Sequence, residues 1–333
     1  MTEFIVFILA VALFLYALLA GADFGAGIIE ILPSKIPTND KTVLIGKAMG
    51  PVWESNHIWL ILALVISFNA FPGIFWFISE WFHFPFGALA FGIIFRGASF
   101  TFLHYDPIKD GSQKIYHWIF GLSSVWCTFW LGLIVGSLML GNFSLSDTGI
   151  FERYFKHWLN PVAISMGFFV TFLMMFNAAL FLTAEAKVHR PLWRSLTLKI
   201  FIVLILSGLI THGIFLAYAI DRWKFFFMNP VSIVLIVFSF LFLMPQIYTI
   251  DRSLRNSSRF IAGLQLICIM GAGFYPLYPN FILTQDATSI SFLEASAEPA
   301  VLRALIYALV VGLLLILPGY YFLMKIFKSN IDE

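Results

Sequence analysis

The sequence predicts an all-α integral membrane protein, with nine transmembrane helices arranged as two four-helix bundles in a pseudo-repeat plus one additional helix. Three observations carry this reading. Hydrophobic residues make up 60% of the 333-residue chain and charged residues 11%, against about 25% charged in a typical soluble domain. That leaves too little polar surface to cover a globule of this size. Apolar windows close to the roughly 20 residues that a span requires recur along the whole chain. Lys and Arg fall mostly on alternate connections between those windows.

The windows lie near residues 4–30, 53–71, 75–103, 116–140, 158–185, 198–220, 229–249, 259–281 and 302–326. The first has neither a basic flank before it nor a small-residue cleavage site after it, so it reads as a span. The third opens on Pro72-Gly73 and contains Pro85, which suggests an interfacial start and a kink; Pro245, Pro276 and Pro279 act locally at later span ends. The polar connections 33–51, 141–157 and 284–303 are too short for a soluble domain. Residues 1–333 therefore form a single membrane domain, with a first bundle at about 4–140, a second at about 158–281 and the ninth helix at about 302–326.

With the N-terminus outside, the inner connections and C-terminus hold Lys35, Lys41, Lys47, Lys109, Lys114, Lys187, Arg190, Arg194, Lys199, Arg252, Arg255, Arg259, Lys325 and Lys328. The outer side holds Arg153, Lys156, Arg222, Lys224 and Arg303. This bias places the C-terminus in the cytoplasm. The net charge of +2 leaves no nucleic-acid footprint.

Orientation turns sequence position into depth. Asp23 lies near the inner end of the first span, Glu54 at the inner start of the second, and Arg96 near the inner end of the third. Ionisable groups in lipid are costly and seek partners, so these three are expected to meet. The plainer reading of such a cluster is a salt bridge that fixes helix register. The functional one is a proton-transfer or ion-binding site in which the second carboxylate holds a proton. The glycines of Gly21-Ala22-Asp23-Phe24-Gly25-Ala26-Gly27 read as close-packing positions.

Other polar residues carry weaker signals. Glu80 and His83 have the spacing of half a di-iron carboxylate site, but no second such pair occurs, so an outer polar site is expected instead. His212 reads as a core histidine before it reads as a haem ligand. Glu185 beside Lys187 suggests an interfacial ion pair. Cys127 and Cys268 read as small buried hydrophobes, and Trp118, Trp158, Trp193, Trp223 and Tyr320 as an interfacial belt. There is no phosphate-binding loop, dinucleotide fingerprint or Cys-x-x-Cys-His haem attachment, so the chain alone does not read as a complete enzyme.

Several motifs together resemble a known family. They are Gly21 to Gly27; the stretch Gly50-Pro51-Val52-Trp53-Glu54-Ser55-Asn56-His57-Ile58-Trp59-Leu60-Ile61; Phe95-Arg96-Gly97-Ala98-Ser99-Phe100; Phe274-Tyr275-Pro276-Leu277-Tyr278-Pro279; and Gln285-Asp286-Ala287-Thr288-Ser289. In order and spacing they are similar to subunit II of cytochrome bd quinol oxidases. The resemblance implies a respiratory complex in which a haem-bearing subunit I oxidises quinol and reduces dioxygen to water. It puts haem b and haem b or d in that partner, no haem and no metal in this chain, and leaves room for a structural quinone or lipid and a small single-helix subunit. It also implies a proton route from the cytoplasm through Glu54 and Asp23, with Arg96, Trp53, Asn56 and His57 as the supporting cluster. Two rival readings stay open: a proton-coupled secondary transporter using the same three charges, and a purely structural assembly subunit.

Overall fold

The computed structural model describes residues 1–50, 53–106, 111–144, 149–252, 255–285 and 289–332. Pro51, Val52, Lys109 and Asp286 to Thr288 of the motifs and charges above lie outside them. Nearly all of the described chain is helical: α1 (Thr2–Ile31), α2 (Thr38–Met49), α3 (Trp53–Asn56), α4 (Ile58–Ala70), α5 (Pro72–Trp81), α6 (His83–Tyr105) and α7 (Gln113–Leu140). A π-helical turn, Glu152–Lys156, leads into α8 (Pro161–Glu185), followed by α9 (Arg190–Tyr218), α10 (Ile220–Phe227), α11 (Pro230–Leu241), α12 (Leu243–Arg252), α13 (Arg255–Phe274) and α14 (Pro299–Asp332). A two-stranded antiparallel ribbon, β1 (Asn280–Leu283) with β2 (Ser289–Ser291), joins α13 to α14.

Among the described residues, eight helices are long and apolar enough to cross a membrane, or nine if the bent pair Thr38–Met49 and Trp53–Ala70 counts as one span. The third expected span is divided: α5 ends at Phe82 (φ −107°), and α6 begins at His83. Pro85 therefore sits in the first turn of α6, where its missing N–H costs no helical hydrogen bond, and the break falls three residues earlier. Proline also opens α5, α8, α9 and α11, with Asn160 capping α8 by accepting from Ala163 N at 2.9 Å. Helix α7 ends on Gly141 in the left-handed conformation (φ 63°), where a Cβ would also strike Leu283 O.

Helix α1 is the central post, packing against α4, α7 and α8, while α7 and α8 pack closely on each other. The glycines of α1 make this approach possible. A Cβ on Gly25 would lie 2.1 Å from Met174 O of α8, and one on Gly27 would lie 2.2 Å from Ser124 Oγ of α7. Both are close-packing positions, as expected, and they press α1 into the groove between its neighbours.

One side-chain expectation changes and another gains a partner. Trp158 and Trp193 are buried and do not form an interfacial belt: Trp158 stacks on Phe84 and donates to Tyr154 O at 2.7 Å. Glu185 pairs with Arg259 of α13, because α8 turns its last residue toward α13.

Candidate functional site: a polar face along the central helix

Position 23 of α1 faces inward, where a lone carboxylate would lose its hydration without compensation. Asp23 is fully buried, and Arg96 of α6 meets it with Nη2 2.6 Å from Oδ1. The same nitrogen donates to Asp23 O at 3.1 Å, and Arg96 Nε donates to Ser124 Oγ of α7 at 3.2 Å. The guanidinium carbon lies 5.0 Å from the Phe24 ring centroid and 4.9 Å from that of Phe120, so the cation is held between two aromatic rings. One charge pair thus ties three helices together. Gly97, next to Arg96, leaves space for Trp53, whose ring would lie 3.3 Å from a Cβ there and which packs on Phe100 at 5.3 Å. The aromatic neighbour of Glu54 therefore supports the Phe-Arg-Gly element.

The polar face extends past the ion pair. Asp23 Oδ2 is buried without a hydrogen-bond partner, as are Tyr16 Oη, Asn56 Oδ1 and His57 Nδ1. The His57 ring lies 6.0 Å from both the Tyr16 and Phe24 rings, and Asn56 Nδ2 donates to Leu19 O at 3.4 Å. Both residues sit at the break between α3 and α4. Buried polar atoms without protein partners are sites where internal water binds, and here several face one region beside Asp23.

Of the predicted residues, the structure brings together Asp23 and Arg96, supports them through Trp53, and sets Asn56 and His57 on the Tyr16 side. It does not bring in Glu54. That side chain is exposed on α3, and the expected three-charge cluster is a two-charge pair, because the turn of α3 that buries Asn56 points its neighbour two residues earlier away from α1.

Sequence reasoning missed a second acid. Glu30 is fully buried on α1; its Oε1 accepts from Thr42 Oγ1 of α2 at 2.7 Å and lies 3.3 Å from His117 Nδ1 of α7. Lys41 Nζ donates to Glu30 O at 3.1 Å and Leu32 O at 2.7 Å, satisfying carbonyls at the end of α1. A signal was present, since Tyr16, Asp23 and Glu30 are spaced by seven and so share one helix face.

The remaining candidates are engaged elsewhere. The Glu80 carboxylate pairs with Arg153, and His83 Nδ1 lies 2.9 Å from Glu80 O. His212 Nε2 accepts from Trp223 Nε1 at 3.3 Å. Cys127 and Cys268 are free and buried.

Comparison with known proteins follows the same lines. The chain is 28% identical over 179 residues to the cytochrome bd ubiquinol oxidase subunit 2 of Bacillus subtilis, a match spanning 53% of this chain and 52% of that one. It is 22% identical to a putative cytochrome bd menaquinol oxidase subunit II of the same organism, across 95% of this chain and 92% of the relative. Its fold is similar to a chain of the bd oxidase structure from Geobacillus thermodenitrificans, with a TM-score of 0.78, 20% identity and 99% of each chain covered. The model of one family, cytochrome bd terminal oxidase subunit II, matches residues 1–327. A match of that extent, over the helices that hold Asp23 against Arg96, places this chain in the cytochrome bd terminal oxidase subunit II family.

Proposed function

We propose that this chain is the second subunit of a quinol-oxidising bd-type oxidase, working beside a haem-bearing subunit I in a bacterial or archaeal cytoplasmic membrane, N-terminus outside. The family match over residues 1–327 is the observation that carries this reading. The partner holds the haems, oxidises quinol and reduces dioxygen; this chain stabilises it and supplies protons taken from the cytoplasm. Reduction of one dioxygen to two waters consumes four protons, so a carboxylate route on the cytoplasmic side matches the demand of the chemistry.

Within the chain, Glu54, exposed on α3, takes up protons, and Asp23 lies deeper, with its Oδ2 free to bind a proton or water while Arg96 neutralises Oδ1. Glu54→Gln in the assembled complex is expected to slow oxygen-dependent quinol oxidation about tenfold or more with haem content unchanged, measured by oxygen consumption and the optical spectrum. Full activity would remove Glu54 from the route. Haem loss in step with activity would favour a structural role, a reading supported by the way the Asp23–Arg96 pair and Ser124 tie three helices together.

A further inference from the structure

We infer that Glu30 and His117 form a second proton-holding pair, through which protons exchange between the surface at the α2 end of the bundle and the polar face around Asp23. The inference rests on the proton-supply reading above and assigns to it residues that no motif marked.

The two members of the pair differ in access. Glu30 is sealed, whereas His117 is 17% exposed and reaches the surface. Glu30 Oε1 is occupied by Thr42 and His117, but Oε2 is buried without a hydrogen-bond partner. The 3.3 Å contact between His117 Nδ1 and Glu30 Oε1 lets one proton pass between the two side chains, and the partly exposed imidazole is the member able to exchange it with water. The other charged groups facing the pair are Lys41 of α2, whose ammonium is committed to the carbonyls of Glu30 and Leu32, and the Asp23–Arg96 pair two turns along α1. From α8 the only titratable side chain is Glu185, which is paired with Arg259.

Register connects this pair to Asp23. On α1, Glu30 follows Asp23 by seven residues; on the antiparallel α7, His117 precedes Ser124 by seven. The helices therefore carry two matched rungs, Asp23 with Arg96 and Ser124, and Glu30 with His117. Seven residues rise about 10 Å, roughly three hydrogen-bond lengths. Gly27 lies between the rungs, and the absence of a side chain there lets the Ser124 hydroxyl abut α1. A larger residue at position 27 would part the two helices at the point a relay must cross.

The test uses the purified, assembled complex, with oxygen-dependent quinol oxidation followed across pH and haem content read optically. Glu30→Gln keeps the shape and the acceptor for Thr42 but holds no proton. It is expected to retain haem and slow turnover about tenfold. His117→Gln should retain haem and displace the pH profile. Infrared difference spectra on deuterium exchange should lose one carboxylic-acid band in Glu30→Gln and show that band shifted in His117→Gln. A wild-type rate, pH profile and infrared spectrum in Glu30→Gln, alongside a slowed Glu54→Gln, would overturn the pair and leave the proton-supply reading standing; unchanged turnover in both would overturn the two together. If Glu30→Gln does not assemble, Glu30→Asp decides, its shorter side chain withdrawing from His117: a displaced pH profile supports the pair and a wild-type profile overturns it.

Discussion

Replacing Asp23 with Asn is expected to destabilise the complex by about 3–5 kcal/mol, the usual cost of leaving a buried ion without its partner. Arg96 is fully buried; its Nη2 is held by Asp23 Oδ1 and O, and its Nε by Ser124. The amide preserves shape but leaves a full positive charge between Phe24 and Phe120 with only dipoles and rings around it. Thermal unfolding of the purified complex, monitored by loss of the haem spectrum, measures the effect. The companion variant changes both residues, Asp23→Leu with Arg96→Met. Because apolar replacements of similar volume often match or exceed a buried ion pair in stability, the double variant should recover most of the loss. If Asp23 also carries protons, turnover in that double variant stays low although stability returns. Recovery of both would reduce the pair to a register device, and a loss below about 1 kcal/mol in the single variant would contradict the burial argument itself.

Gly25→Ala should have a comparable effect by a different route. Its Cβ would sit 2.1 Å from Met174 O, 2.6 Å from Met174 C and 2.8 Å from Ala178 Cβ. Two of these contacts are backbone and cannot rotate away, so α1 and α8 must separate along their length. Overpacking of this kind typically costs about 1–3 kcal/mol and sometimes more, and here it also strains the Asp23–Arg96 contact two residues away. Gly21→Ala is the control: its nearest neighbour is the side-chain Cγ of Met174 at 3.3 Å, which a flexible thioether can move. The amount of haem-loaded complex recovered from membranes should fall sharply for Gly25→Ala and stay near wild type for Gly21→Ala. Equal yields would mean that the α1–α8 seam has more slack than these distances allow.

The membrane class was legible in the residues alone, because a bilayer demands apolar length and penalises charge wherever it enters. Asp23, Glu54 and Arg96 were expected to meet for that reason, and the first and last of them do. The glycines around Asp23 were likewise readable as packing positions, since small residues four apart are of use only where a neighbour comes close.

What depth does not reveal is rotation about each helix axis, and only the tertiary structure supplies it. Successive residues turn by about 100°, so a carboxylate at the correct depth faces its partner or faces away according to how its helix is seated. Glu54, expected at the level of Asp23 and Arg96, is exposed on α3. Glu185 pairs with Arg259 of α13. Glu30, apparently an ordinary acid at a span end, is turned inward onto His117 and Thr42 by the same seven-residue face that carries Asp23. Sequence alone determined a membrane chain that carries a few charges within its apolar spans; the seating of α1 between α7 and α8, set by Gly25 and Gly27, decided which of those charges share a site.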